Sequence, residues 1–142
     1  MEKAAVRSGG GTNHRGSLSE GVLIKDNHLG HLSIEAAVEL ASARWPGRMI
    51  EVECDRLNQV ERAAISGAGL VLCDNMTPET VSEAVAIVRR IAGRRCLVEV
   101  SGEVSLETIG SYAAAGPDVI SVGAITHSAP ILNLGLDLEA GA

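Results

Sequence analysis

The sequence predicts an α/β protein with a parallel sheet. From about residue 21, short apolar and β-branched runs alternate with amphipathic helical stretches. Strands that alternate with helices imply parallel pairing and right-handed crossovers. The runs are too apolar for a sheet with one face in water, so helices are expected to cover the outside. Either a doubly wound sheet or a β/α barrel fits. No G-x-G-x-x-G or G-x-x-x-x-G-K-[ST] segment follows a strand, which disfavours a nucleotide-binding open sheet.

Five apolar runs are the predicted strands, at residues 22–24, 49–54, 70–73, 97–100 and 119–122. The first covering helix is predicted to begin after Ser33 as N-cap and to bury a stripe at i, i+3, i+4 and i+7, formed by Ile34, Ala37, Val38 and Ala41. Asp55 is the predicted cap of the second helix, whose core side consists of Leu57, Val60 and Ala64. Gly67 and Gly69 are predicted to end it.

The third helix has the most complete start and stop pattern. The N-cap is predicted to be Thr77, followed by Pro78 as the first helical residue and Glu79 as an acid in the first turn. Gly93 is predicted to end the helix. Its predicted core side is Val81, Val85 and Val88. A fourth helix is predicted from Ser105 through Ile109, Tyr112 and Ala113 to Gly116-Pro117, and a weaker helical stretch from about residue 128.

Charge and composition limit what this chain can bind and what its core can contain. The net charge of −6 argues against nucleic-acid binding, which selects a basic face. Residues 1–30 carry four of the twelve Lys and Arg but only three of the eighteen acids, so this part can bind an anionic small molecule. With aromatic residues at 1%, the core must consist of Ala, Val, Ile and Leu.

The three cysteines do not form a recognisable framework. Cys54, Cys73 and Cys96 are odd in number and widely spaced, which disfavours both disulfides and a zinc site, and Cys54 and Cys73 are predicted to be buried reduced thiols. The sequence contains no signal-peptide core and no long uncharged apolar stretch, so we expect no membrane span and a cytoplasmic location.

Polar or small residues end all five predicted strands: Lys25, Glu53, Asp74, Ser101 and Gly123. In a β/α barrel the carboxyl ends of the strands converge on one mouth, where the chemistry takes place. A polar residue at any single one of these positions is explained well enough by the solvent exposure of the loop that follows the strand. The whole set, a cation, two carboxylates, a Ser-Gly turn and a glycine turn, is more typical of a site.

Glu51 and Glu53 alternate with apolar residues in the second strand. Period-2 spacing places both acids on the face opposite the apolar side chains. If helices cover the outside, these acids point into the barrel and need partners, for which Lys25 is a candidate. An edge strand with its acids in water explains the spacing equally well.

Six segments, in order, resemble the quinolinate phosphoribosyltransferase family: GGGTNHR at 9–15, LIKDNH at 23–28, EVECD at 51–55, LCDNM at 72–76, EVSG at 99–102 and VGAITHS at 122–128. Order and spacing agree from about residue 2 to 137. The resemblance implies a TIM-like β/α barrel. It also implies phosphoribosyl transfer from phosphoribosyl pyrophosphate to quinolinate, with decarboxylation to nicotinate mononucleotide, in NAD biosynthesis.

The resemblance also implies site residues. His14, Arg15 and Lys25 would bind the quinolinate dianion, for which an Arg fork suits a carboxylate. Glu53 and Asp74 would face the ribose and bind Mg²⁺, and with Lys25 they are the expected catalytic residues. Ser101, Gly102, Gly123 and His127 would bind a phosphate. Glu103 departs from the family's second glycine here.

The resemblance implies that residues 1–142 are a partial barrel domain. An N-terminal α/β domain and a first barrel strand with a T-R-K-T segment have no counterpart, and the full-length family enzyme is expected to be a homodimer. Three interpretations stay open. The chain is an inactive piece of the transferase, a related barrel enzyme for another anionic substrate, or a non-catalytic phosphate-binding module. The intact LIKDNH and NHR segments argue against the second.

Overall fold

The structure is a computed structural model that describes residues 2–130 and 132–136. Its strands are β1 (Val22–Ile24), β2 (Ile50–Cys54), β3 (Leu70–Asp74), β4 (Leu97–Ser101) and β5 (Val119–Ile120). The α-helices are α1 (Glu2–Ser8), α2 (Asp26–Leu29), α3 (Ile34–Arg44), α4 (Leu57–Ile65), α5 (Pro78–Ala92), α6 (Ile109–Ala114) and α7 (Ala124–His127). A single 3₁₀ turn (Gly93–Arg95) links α5 to β4.

The strand order decides between the two predicted architectures. All neighbours pair in parallel, and the sheet order is β1-β2-β3-β4-β5, so each strand lies beside its predecessor in the chain. A doubly wound sheet requires a reversal of this order at a switch point, and none occurs among the described strands. Right-handed crossovers in constant order place every covering helix on the same face. The sheet is therefore the wall of a β/α barrel, with five strands in the described residues.

One face of the sheet packs against the helices and forms the core. The strands contribute Ile24, Ile50, Val52, Cys54, Val71, Cys73, Val98 and Val100 to it. The helices contribute the predicted stripes, with Val38, Val60, Val81 and Val88 at most 1% exposed. Ala63 and Ala84 let α4 and α5 approach the sheet closely. All three cysteines are buried free thiols, as predicted for Cys54 and Cys73, and burial raises the pKa of Cys73 to about 12 and that of Cys96 to about 11.

The predicted helix caps were partly right. The Ser33 hydroxyl accepts a hydrogen bond from the Ala36 amide (3.2 Å), and Thr77 does the same for Thr80 (3.3 Å). Gly93 caps the end of α5 as predicted. Asp55 is not a cap, because Arg56 holds that position and the Gln59 side chain accepts hydrogen bonds from the amides of both Asp55 and Arg56.

Three predicted boundaries near the C-terminal side were wrong. Ser105 does not begin a helix, since its hydroxyl accepts from the Glu107 amide and closes a local turn, and α6 begins at Ile109. The fifth strand is shorter than predicted. The last helix is α7, which begins at Ala124, whereas residues 128–130 and 132–136 form no helix and the remainder of that stretch lies outside the described residues.

Candidate active site on the inner face of the barrel wall

The inner face of the sheet carries the charged residues. In-register pairing aligns Leu23 with Glu51, Glu53 with Leu72, and Leu72 with Glu99. Glu51 and Glu99 are charged, and yet they are only 3% and 1% exposed. The sequence left open whether Glu51 and Glu53 point into the barrel or lie on an edge strand in water. The structure supports the first alternative, because β2 is an internal strand flanked by β1 and β3 and its acids face the barrel interior.

Lys25 and Glu53 form the ion pair that the strand spacing suggested. Lys25 Nζ lies 2.5 Å from Glu53 Oε2, directly after β1 and near the end of β2. The hydrogen bond that Lys25 donates to Glu53 raises the pKa of Lys25 most, and the nearby charges of Asp74 and Asp26 add to it. Glu51, in contrast, is not the partner of Lys25.

Glu51 is instead paired with His14. His14 Nε2 lies 3.3 Å from Glu51 Oε2 and 3.6 Å from Glu99 Oε2, and Glu99 Oε1 accepts a hydrogen bond from the Ser121 hydroxyl. Burial raises the pKa of Glu51, and the charge of Glu99 raises it further. Its Oε1 is buried without a hydrogen-bond partner among the described residues.

This trio resembles a metal site in spacing. One ligand atom from each of His14, Glu51 and Glu99 lies within 4.8 Å of the others. The 3.3 Å contact with Glu51 is within hydrogen-bond distance, whereas the 3.6 Å contact with Glu99 is too long for a hydrogen bond. We therefore describe the trio as a cluster of one histidine with two buried carboxyl groups.

Asp74 and Ser101 end neighbouring strands in register. Asn75 joins them, because its side-chain amide donates to Asp74 Oδ2 (2.9 Å) and its backbone amide donates to the Ser101 carbonyl (3.0 Å). Asn75 adopts a left-handed backbone with φ of 52°. Gly102 has φ of 125°, and a Cβ there would collide with Asn75 Oδ1, so only glycine fits.

Gly123 and His127 lie together after β5. A Cβ on Gly123 would approach His127 Nε2 to 2.8 Å, and the His127 amide donates to the Gly123 carbonyl (3.1 Å). These residues follow the strand next to that of Ser101 and Gly102.

Arg15 and Lys25 line one groove of about 820 Å³ beside β1, and the other lining residues are Leu18, Ser19, Gly21, Val22, Leu23, His28, Trp45 and Arg48. The structure thus brings Lys25 together with Glu53 and with Arg15, and it places Asp74 beside Ser101. His14 is exposed and contacts the buried carboxyl groups of Glu51 and Glu99.

Sequence comparison identifies the fold and the family together. A family model described as quinolinate phosphoribosyl transferase, C-terminal domain, matches residues 1–137. The chain belongs to this family. The fold agrees, because a crystal structure of nicotinate-nucleotide pyrophosphorylase from Ehrlichia chaffeensis superimposes with a TM-score of 0.81 at 37% identity. That match covers 89% of this chain and 45% of the other.

Two relatives show how similar the chain is to individual proteins. A protein from Archaeoglobus fulgidus is 44% identical over 138 residues, which is 96% of this chain and 53% of the relative. The carboxylating nicotinate-nucleotide pyrophosphorylase of Mycobacterium leprae is 41% identical over 139 residues, 97% of this chain and 49% of its own length. The chain therefore spans about half the length of the curated relatives it matches.

Sequence reasoning missed three residues of this site as functional candidates. Ser121 was not predicted, and Glu99 and Asn75 were recognised only as parts of matched motifs. Glu99 was detectable, because it is the one charged residue in the apolar run 97–100, the pattern that drew attention to Glu51. No helix within the described residues has the length and apolar character needed to cross a membrane.

Proposed function

We propose that this chain is the catalytic barrel portion of a quinolinate phosphoribosyltransferase. The longer protein would transfer the phosphoribosyl group of phosphoribosyl pyrophosphate to quinolinate, releasing pyrophosphate and CO₂ and forming nicotinate mononucleotide. The observation that carries the proposal is the ion pair of Lys25 with Glu53 at the carboxyl ends of β1 and β2, with the Asp74 charge near Lys25 and with Arg15 lining the same groove as Lys25. A dianionic aromatic acid needs the cations, and a ribosyl cation needs the carboxylates.

The cations would bind the acceptor. Arg15 and Lys25 line one groove, so both can reach the carboxylates of one small planar molecule. Lys25 keeps its charge because Glu53 raises its pKa. His14 would contribute its exposed edge to the same carboxylates, since its ring is 38% exposed.

The carboxylates would stabilise the donor. As pyrophosphate leaves, positive charge develops on the ribose ring, and fixed carboxylates nearby lower the energy of that state. Glu53 Oε2 binds Lys25 and Asp74 Oδ2 binds Asn75. Within residues 2–130 and 132–136, neither Glu53 Oε1 nor Asp74 Oδ1 has a hydrogen-bond partner, so each has an oxygen to offer to a ribose hydroxyl or to a cation.

The donor set at the mouth also suits Mg²⁺. That ion prefers one or two carboxylates and retains several waters, and Glu53 and Asp74 supply this number. When bound, Mg²⁺ would neutralise the negative charge of the departing pyrophosphate. Ser101, Gly102, Gly123 and His127 would hold a phosphate through backbone amides and the imidazole. A cytoplasmic location, a homodimer of the longer protein and the absence of nucleic-acid binding belong to the same proposal.

Isothermal titration tests the proposal directly. The chain is titrated with quinolinate, and separately with phosphoribosyl pyrophosphate and Mg²⁺. Binding of the donor that is lost in Asp74→Asn but retained in Asp55→Asn supports the assigned site. Binding of quinolinate that is lost in Arg15→Gln but retained in Arg95→Gln supports the acceptor half. A well-folded chain that binds neither ligand contradicts the proposal.

A further inference from the structure

His14 Nε2 faces two buried carboxylates at once. The oxygens of Glu51 and Glu99 lie 3.3 and 3.6 Å from it, and their side chains are 5% and 2% exposed. With Glu51 and Glu99 ionised, both carboxylates can only accept hydrogen bonds, which places the hydrogen on Nε2. Because the two ring nitrogens point in different directions, Nδ1 is directed away from the carboxylates. No described residue forms a hydrogen bond with Nδ1.

The carboxylates are held on rigid supports. Glu51 is the second residue of β2 and Glu99 is the central residue of β4, with β3 between the two strands. Buried Leu70 and Leu72 of β3 pair in register with Glu51 and Glu99, respectively. The Ser121 hydroxyl fixes the second oxygen of Glu99.

His14 itself has no such support. It belongs to the segment between α1 and β1, where no strand or helix is assigned, and its ring is 38% exposed. Its contacts with two strands therefore determine its orientation. Groups that orient a ligand-binding histidine commonly affect affinity by about 10- to 100-fold when they are removed, as second-shell partners of metal sites do.

We propose that Glu51 and Glu99 are positioning residues for His14, and that Ser121 fixes Glu99. The pair holds Nε2 against the sheet and turns the Nδ1 edge of the ring toward the mouth, where it meets a carboxylate of the acceptor. The second half of this statement depends on the function proposed above. The first half, the orientation of His14, does not.

A double-mutant cycle on quinolinate binding tests the complete statement. We expect Glu99→Gln to weaken binding about tenfold. In a His14→Ala background, the same substitution should have no further effect, because the residue acts through the ring. Equal losses in both backgrounds would mean that Glu99 acts directly or through general structure, and would overturn the inference.

A second measurement does not depend on the substrate. Long-range ¹⁵N–¹H correlation spectra of the imidazole rings report which nitrogen carries hydrogen and what it contacts. We expect the His14 signals to move in Glu51→Gln and Glu99→Gln and to stay in place in Glu53→Gln, a substitution on the same strand and face that removes the partner of Lys25 instead. Unchanged His14 signals in Glu99→Gln would disprove the positioning role. A chain that shows the signal changes but never binds quinolinate would disprove the proposed function alone.

Ser121→Ala is the milder variant for the case that a Gln substitution prevents folding. It keeps both carboxylates and removes only the hydroxyl that fixes Glu99. A shift of the His14 signals in the direction seen for Glu99→Gln, but smaller, is the expected result. No shift in folded Ser121→Ala would exclude Ser121 from the arrangement.

Discussion

Lys25 Nζ lies 2.5 Å from Glu53 Oε2, across the carboxyl ends of two neighbouring parallel strands. The Glu53 side chain is 12% exposed and that of Lys25 is 43% exposed. The pair therefore leaves the ammonium group facing the groove while its partner is sheltered. Glu53 thus holds the Lys25 ammonium group in position, and this group stays accessible to a bound anion.

Lys25→Met should weaken quinolinate binding more than Lys25→Arg. A hydrogen bond to a charged group contributes about 1.5–3 kcal/mol, so the loss should be about ten- to a hundredfold in the dissociation constant. Arg retains the positive charge but spreads it over a planar guanidinium group, so we expect a partial loss of quinolinate affinity in Lys25→Arg. Calorimetric titration measures both, with Arg95→Met as a control at the opposite end of the strands. Wild-type affinity in Lys25→Met would remove Lys25 from the site.

Gly102→Ala should destabilise the chain by about 1–3 kcal/mol, the cost of a residue forced into a backbone region that favours glycine. The added Cβ would also collide with the Asn75 side chain. Gly110→Ala is the matched control, since a Cβ added at this position of α6 would have no other atom within 4 Å. That change should be neutral or stabilising by up to about 1 kcal/mol. Urea unfolding distinguishes them, and equal effects would contradict the strained geometry.

Substitutions of Asn75 should separate its backbone from its side chain. Asn75→Gly accepts the left-handed backbone, so the free energy of unfolding should change little, whereas Asn75→Ala should lose about 1 kcal/mol. Both remove the hydrogen bond to Asp74 Oδ2. We therefore expect both variants to bind phosphoribosyl pyrophosphate with Mg²⁺ more weakly, and to a similar degree. If only the Ala variant lost affinity, the effect would come from the backbone and not from the amide.

Asp118→Asn should lower stability at neutral pH by about 1–3 kcal/mol. Asp118 accepts hydrogen bonds from Arg89 (2.6 Å) and from the Val98 amide (2.8 Å). Burial acts to raise its pKa, but these two donors outweigh it and the pKa lies below the ordinary value. Asp55→Asn, at an exposed ion pair, should change stability by less than about 0.5 kcal/mol.

The same residue predicts a pH dependence with a definite sign. A carboxyl whose pKa is lowered by folding contributes stability above its unfolded pKa of about 3.9 and loses it as the pH falls through the folded pKa. The difference between wild type and Asp118→Asn should therefore shrink in acid. Denaturant unfolding from pH 7 to pH 3 measures it, and a constant difference would show that Asp118 is not ionised in the folded protein.

The sequence by itself determined the parts that depend on neighbours in the chain. Ser33 and Thr77 indicated their helices because a hydroxyl acceptor just before an apolar stripe satisfies free amides locally. Lys25 and Glu53 could be paired because strand period and parallel order fix which face each residue occupies. The failures were local competitions between hydrogen-bond partners. Gln59 replaced Asp55 at one helix start, and the turn at Ser105 delayed another.

Only the tertiary structure decided the partners of His14. It lies in an irregular segment, where no periodicity fixes a face, and its contacts come from strands that follow it by 37 and 85 residues (51 − 14 and 99 − 14). The strand order likewise excluded the doubly wound sheet, which the alternation of elements had left open. The physical reason is the same in both cases. Periodicity specifies the direction of a side chain within its own element, whereas contacts between distant segments depend on how the elements pack.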